Sequence, residues 1–474
     1  MLFNSFTFLL FFPIVCIVYF TLPTVRLRNL FLLVASYYFY MNWEPVYALL
    51  LLASTGITYL AALGMARFDN HKMSILSVGI CLNLLILFFF KYFNFAAENF
   101  AAVLEFFGVK MTVPEFKVLL PVGISFYTFQ ALGYMIDVHR GDIKPEKNFF
   151  TYALFVSFFP QLVAGPIERS TNLLVQFYEK HKFKAENAIS GINLMLWGYF
   201  LKLVMADRCA VYVDVVYNNI DKHTGSSILI ASILFCFQLY GDFAGYSYIA
   251  IGCSRVLGIK LMDNFRRPYF FSTSVQEFWK RNHISLTSWF MDYVYYPLVG
   301  SSTKLWWWCF SIFITFFISG FWHGAAWTYV LSFSVFGFYL VVCTLKDRRQ
   351  RRFEKKYGLK KKEWWLWVNR FVTFVLVMIA LVFFRANTLS DSFLAFTKMA
   401  SDVMKNPMID VVTLLYGFAS IFIVFVAEYI IEYKKIAVTE NNCLRVYSLC
   451  GIGLLSAILL FGVFDGGQFI YFQF

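Results

Sequence analysis

An imidazole can take a proton from a hydroxyl and return it to a leaving group near neutral pH, and two of the chain's six histidines stand where such chemistry is conceivable. His323 lies in "FISGFWHGAAWTYVL", residues 317–331, where no charged side chain occurs within six positions on either side. A polar ring in an apolar run must find a partner or be held at a cost in free energy. It reads either as a packed histidine bonded to a carbonyl or as a base for acyl transfer to an alcohol. His283 lies in "QEFWKRNHISLTSWF". On a continuous helix Phe278, Arg281, Ile284, Ser285 and Ser288 would share one broad face and leave His283 near another. The residues alone keep both readings open. No G-x-S-x-G elbow, G-x-x-x-x-G-K-[ST] loop, H-E-x-x-H or C-x-x-C is present, so serine hydrolase, ATP-driven pump and metalloprotease chemistry lose their usual signatures.

The elements that must position these rings are membrane helices. Of 474 residues, 60% are hydrophobic, 21% aromatic and 15% charged, against roughly 25% charged in a soluble domain. Apolar blocks recur at 6–22, 47–65, 73–90, 116–137, 225–240, 325–343, 366–384, 410–427 and 446–464. With shorter or interrupted segments they predict about 11 helical spans, each needing about 20 residues. A single polytopic all-α domain over 1–474 is expected, with no separate soluble one. The nine cysteines lie mostly in apolar stretches and suggest small buried side chains.

Charge sets the expected topology. "KDRRQRRFEKKYGLKKKE", residues 346–363, holds ten Lys or Arg against three acids, the signature of a cytoplasmic loop beside anionic lipid and not of a nucleic-acid site. "MLFNSFTFLLFFPIVCIVY" has no Lys or Arg ahead of its apolar core, so an uncleaved first span with the N-terminus outside is expected. Walking outward from 346–363 places His323 toward the outer half of the membrane, in a turn flanked by Gly320 and Gly324, and the C-terminal "FDGGQFIYFQF" outside. Pro121 and Gly123, and again Pro160, Gly165 and Pro166, predict broken helices. Residues 240–300 are too polar for successive crossings and predict short amphipathic or re-entrant helices.

Several stretches taken together resemble the membrane-bound O-acyltransferase family, in its bacterial branch of alginate and peptidoglycan O-acetyltransferases. They are "MLFNSFTFLLFF", "LLPVGISFYTFQALGYMIDVHRG", "FFPQLVAGPIER", "YGDFAGYSYIAIG", "NFRRPYFFSTSVQEFWKRNHISLTSWFMDYVYYPLVGS", "SGFWHGAAWTYVLSF", "FFRANTLSDSF" and "FIYFQF", with the core motifs inside 116–345. Tyr248 departs from the branch's "GYSD" form, so a role for that carboxylate does not transfer. The resemblance implies a helical bundle around a central tunnel, with His323 as the catalytic histidine and His283 as a second, supporting one. It implies acetyl-CoA as a cytoplasmic donor substrate with no bound cofactor, an exported polysaccharide as final acceptor, and an extracytoplasmic SGNH-type transferase as partner, in the bacterial cytoplasmic membrane. The tail 465–474 is similar to an F-x-Y-x-x-F acyl-transfer motif, with Phe469, Tyr471 and Phe474 in the matching positions. Tyr471 is thus a candidate acyl relay, or else an interfacial aromatic anchor. Asp242, Gln161, Tyr240 and Trp322 are candidates for orienting the imidazole or lining the tunnel, while Arg266, Arg267, Lys280 and Arg281 could meet the donor's phosphates or mark topology. D-alanyl transfer to teichoic acid in the same fold and a transporter of polysaccharide or lipid are the competing readings.

Overall fold

The structure, a computed structural model, describes residues 1–111, 120–359, 362–408, 411–434, 444–464 and 469, with the side chains of 347–348, 434 and 444–450 set aside. Every regular element among the described residues is helical. In chain order these are α1 (Phe6–Thr21), α2 (Val25–Met41), α3 (Tyr47–Arg67), α4 (Lys72–Leu87), α5 (Phe93–Phe106), α6 (Ile124–Arg140), α7 (Phe149–Ser157), α8 (Phe159–Leu162), α9 (Ser170–Gln176) and α10 (Ala185–Tyr199). A π-helical stretch, Phe200–Ala206, joins α10 to α11 (Asp207–Tyr217), and the long α12 (Gly225–Val256) follows. Short helices then succeed one another: α13 (Pro268–Phe271), α14 (Val275–Arg281), α15 (Ile284–Phe290) and α16 (Tyr296–Val299). Last come α17 (Leu305–His323), α18 (Trp327–Lys356), α19 (Glu363–Arg385), α20 (Leu389–Ser401), α21 (Val411–Lys434) and α22 (Leu444–Phe461).

Among the described residues, eight helical segments are long and apolar enough to cross a membrane, and Phe6–Thr21 and Gly451–Phe461 are shorter apolar helices. Leu9, Leu10, Ile14 and Ile17 of α1 and Val411, Leu415, Phe422 and Ile423 of α21 lie at the surface. Apolar area of that extent is stable against lipid chains and not against water. The protein is a multi-pass membrane protein.

Two compact units are present, Met1–Ile192 with Ile249–Met262, and Asn193–Tyr248 with Asp263–Phe474. In the first, the expected breaks fall where backbone must pass close. Gly123 adopts a left-handed conformation (φ 77°) at the start of α6, and a Cβ there would stand 2.7 Å from the Leu162 carbonyl oxygen. The start of the chain is held by its own aromatics: Phe3, Phe8 and Phe39 pack together, and the Met1 ammonium donates to the Phe39 carbonyl at 2.8 Å. The guanidinium of Arg28 donates to the carbonyls of Phe20, Leu22 and His181. Those bonds explain a buried arginine near the end of an apolar block.

The second unit carries both histidines. Two expectations for 240–300 change. Residues 240–256 are not short interfacial helices but the continuation of α12, whose glycines and small residues let it pack closely enough to bury Asp242 and Tyr240. The stretch 275–290 is not one continuous helix either: it breaks at Asn282 and His283 into α14 and α15.

Candidate active site

α17 ends on His323 because the next residue turns the chain. Gly324 is extended (φ −170°, ψ 155°), and the backbone re-enters a helix at Trp327. A Cβ on Gly320 would come within 2.8 Å of the Val330 Cα, and one on Gly324 within 2.3 Å of the Tyr329 ring. These two glycines therefore allow α18 to fold back against the end of α17. The return stacks Phe333 on the His323 imidazole, 4.2 Å between centroids at 24°. Trp322 meets that imidazole edge-on at 4.8 Å, and Phe384 of α19 closes the far side at 5.9 Å. His323 is 4% exposed.

His283 is seated differently. Ser274 caps α14 by accepting the Glu277 N–H at 3.1 Å, and the helix ends at Arg281. His283 then takes a left-handed conformation (φ 46°, ψ 52°), one that costs a non-glycine residue about 1–3 kcal/mol unless its surroundings over-determine it. Here they do. The Ile284 N–H donates to the Asn264 carbonyl at 2.9 Å, and the Arg266 N–H to the Arg281 carbonyl at 2.8 Å, so two passes of chain are laced together beside the ring. The Asn264 side-chain oxygen accepts from the Ser285 N–H (3.2 Å) and hydroxyl (2.9 Å), and its amide nitrogen donates to Ser247 Oγ at 3.0 Å. That same oxygen is 3.2 Å from His283 Nδ1.

A tautomer follows from this network. The Ser285 backbone N–H can only donate, so the atom it meets is the acceptor end of the Asn264 amide. Nδ1 of His283 must then carry the hydrogen, which makes Nε2 the basic nitrogen of the neutral ring. Burial pushes the His283 imidazole well below its ordinary range, which favours that neutral form. Phe243 of α12 stands edge-on to the ring at 4.4 Å. The two imidazoles are 6.4 Å apart at 76°, and Trp322 lies beside both, 5.9 Å from His283.

A carboxylate locks the laced loop from α21. Glu432 accepts from Arg267 through Nε at 2.8 Å and Nη2 at 2.7 Å, and from Arg281 Nη2 at 3.0 Å. Arg281 also reaches Glu277 at 2.8 Å, and Glu277 in turn accepts from the backbone and hydroxyl of Thr273. Arg267 is the second non-glycine residue with a left-handed backbone among those described (φ 51°). One turn before Glu432, Glu428 accepts the Tyr240 hydroxyl.

The structure brings some sequence candidates together and separates others. His323, His283 and Trp322 converge. Tyr240 bonds Glu428, and Asp242 pairs with Lys202 at 2.5 Å. Gln161 belongs to the other unit, where its amide donates to Gln130 (3.2 Å) and to the Phe155 carbonyl (3.0 Å). Of the four candidate phosphate-binding cations, Arg267 and Arg281 are engaged by Glu432. Arg266 pairs with Asp263 at 3.3 Å at the surface, and Lys280 is exposed. Tyr471 lies outside the described residues. Sequence reasoning missed Asn264, Glu432 and Lys202. A signal existed for two of them, since Lys202 in "LWGYFLKLVMA" and the pair Glu428 and Glu432 in "FIVFVAEYIIEY" are ionisable groups inside apolar runs.

Residues 70–385 match the model of the membrane-bound O-acyltransferase family. A probable alginate O-acetylase AlgI of Azotobacter vinelandii is 35% identical over 405 residues, 85% of this chain and 78% of the relative. A peptidoglycan O-acetyltransferase of Helicobacter pylori is 33% identical over 428 residues, covering 83% and 78%. A teichoic acid D-alanyltransferase of Bacillus subtilis is 30% identical over 284 residues, covering 57% and 68%. With two imidazoles converging in a buried aromatic site and a family match across the segment that builds it, this chain is an O-acyltransferase and belongs to the membrane-bound O-acyltransferase family.

Proposed function

We propose that the protein moves an acetyl group from cytoplasmic acetyl-CoA, across the bacterial cytoplasmic membrane, toward O-acetylation of an exported or cell-wall polysaccharide. The observation that carries this reading is the convergence of His323 and His283 at 6.4 Å within an enclosed aromatic site, in a chain whose relatives include a probable alginate O-acetylase and a peptidoglycan O-acetyltransferase. His323 accepts the proton of the attacking hydroxyl as its oxygen bonds the thioester carbonyl carbon. The tetrahedral intermediate collapses, the carbon–sulfur bond breaks, and the imidazolium returns the proton to the departing thiolate. An ester and CoA thiol result, and charges balance. In this reading the ring of His283, its Nδ1 held by Asn264, contacts the reacting oxygen.

The first hydroxyl acylated is that of Tyr471 in this reading. A phenol with a reference pKa of about 10 is protonated at neutral pH, so it needs a base. An extracytoplasmic SGNH-type transferase then collects the acetyl group for the polysaccharide. A small cleft lined by Trp279, Phe290, Thr315, Phe316 and Ser319 reaches α17 one turn before His323, and in this reading the acyl arm approaches the base from that side. The N- and C-termini face outward, and the 346–363 loop faces the cytoplasm.

Incubating purified protein and its His323→Ala form with labelled acetyl-CoA, then mapping the label, tests this. Label on Tyr471 in the parent alone supports it. Acceptance of D-alanyl from a carrier protein in place of acetyl would transfer the reading to teichoic acid chemistry, and polysaccharide transport surviving His323→Ala would transfer it to a transporter.

A further inference from the structure

The π-helical stretch Phe200–Ala206 contains a buried ammonium that the acyl-transfer chemistry does not use. Lys202 Nζ is 2.5 Å from Asp242 and 2.9 Å from Asp207, and all three side chains are almost wholly enclosed. The approach that makes this cluster depends on two glycines of α12. A Cβ at Gly241 would stand 2.7 Å from the Leu201 carbonyl oxygen, and one at Gly245 2.7 Å from that of Gly198. Ions buried in a membrane segment are expensive, and such a cluster persists where it serves a further contact.

That contact is the C-terminal tail. The ring of Phe469, fully buried, lies under the Lys202 ammonium, 4.5 Å from Nζ to its centroid. Tyr246 meets the same ring edge-on at 4.8 Å and 86°. The chain is led there by two earlier bonds. Arg208 Nε donates to the Phe461 carbonyl at the end of α22 (3.0 Å), and the Val463 N–H donates to the Leu203 carbonyl (3.0 Å). Widened π turns release backbone carbonyls from the regular ladder, and Leu203 lies within this one.

The face of α12 that seats the tail is continuous with the wall of the histidine site. Tyr246 lies three residues after Phe243, which touches His283, and one before Ser247, which holds Asn264. We infer that the Lys202–Asp242–Asp207 cluster, with Tyr246, is a docking seat for the chain's own tail, which positions the tyrosine two residues beyond Phe469 for acylation. The inference deepens the relay reading and rests on it for its purpose, though the seat itself does not. Two residues of chain reach at most about 7 Å in any conformation, so an anchored Phe469 limits how far away Tyr471 can act.

The test uses full-length protein in lipid nanodiscs carrying Gln473→Cys, with a membrane-impermeant maleimide and site mapping by mass. Phe469→Leu keeps apolar bulk but removes the π face, and is expected to raise the labelling rate of the introduced thiol about tenfold, the scale of a desolvated cation–π contact. Phe469→Tyr keeps the ring and restores protection. An unchanged rate in Phe469→Leu overturns the seat. Acetylation of Tyr471 from labelled acetyl-CoA is measured in parallel, and a tenfold fall in Phe469→Leu supports the positioning role. Intact tail protection with no acetyl on Tyr471 in the parent supports the seat while overturning the relay.

Discussion

The two histidines stand 6.4 Å apart in different backbone settings. His323 ends a regular helix and is gripped by rings: Phe333 stacks on it, and Trp322 and Phe384 meet its edges. His283 interrupts helical structure and is gripped by polar atoms, in a left-handed backbone laced to 264–266 and clamped by Glu432. A bond from Nδ1 to an amide oxygen fixes which nitrogen carries the hydrogen. Under the proposed function, proton transfer falls to His323 and a fixed polar contact to His283.

The largest effect breaks the comparison outright. His323→Ala is expected to lower acetyl transfer by about 10²–10⁴-fold, the range for a lost general base, with unchanged elution and thermal midpoint in detergent. Loss of the folded protein instead would make the ring structural. Asn264 comes next, as a positioning residue. Asn264→Ala removes the acceptor that fixes the tautomer and releases the two Ser285 donors, so a fall of about 10–100-fold is expected, by analogy with the outer-shell partners of metal-bound histidines. Asn264→Asp is the discriminating partner. It keeps the acceptor but adds negative charge, which favours imidazolium at His283. The burial that holds this group low is then opposed, and the acid limb of the rate profile is expected to move to higher pH. An identical pH profile would deny His283 a place in the chemistry.

How far these features could be read from the sequence follows the same division. The aromatic grip is local: "SGFWHGAAW" carries His323, Trp322 and both glycines in one run, and a polar ring among apolar residues is visible without a structure. The polar grip is assembled from distant segments. Ser247, Asn264, His283 and Glu432 span most of the second half of the chain, and no spacing rule links them. The helix-face argument for 275–290 failed because His283 sits at a left-handed break that periodicity cannot register. Long apolar blocks gave the helical class, yet 240–256 read as too polar to continue α12, because Asp242 is compensated by a lysine forty residues earlier. A solitary acid in an apolar run asks for a partner, and the partner's position is a tertiary fact.

The carboxylate clamp sharpens the comparison at smaller cost. Glu432→Gln keeps the shape of the side chain but leaves Arg267 and Arg281 facing a neutral acceptor. Charge-assisted hydrogen bonds contribute about 1.5–3 kcal/mol each in comparable settings, but these groups are partly exposed (20–26%), and screening lowers the effect to about 1 kcal/mol. The expected result is a slightly lower thermal midpoint and a several-fold slower transfer, with both restored by Glu432→Asp only if the shorter arm still reaches both guanidinium groups. A large change in donor KM with an unchanged midpoint would instead return Arg267 and Arg281 to binding the donor's phosphates.

Ser247→Ala isolates the weakest link of the polar grip. The serine hydroxyl accepts one hydrogen bond from the Asn264 amide, and its removal leaves that buried N–H without this acceptor. One neutral bond contributes about 0.5–1.5 kcal/mol, so a two- to tenfold fall in rate is expected, roughly the kinetic equivalent of that energy. With Asn264 holding His283 and His283 acting on the substrate as proposed, the substitution should leave donor KM alone and lower the turnover number. Combined with Asn264→Ala it should add little, since the bond it removes is already gone. Full additivity would mean that Ser247 acts through α12 packing, and that the polar grip on His283 ends at Asn264.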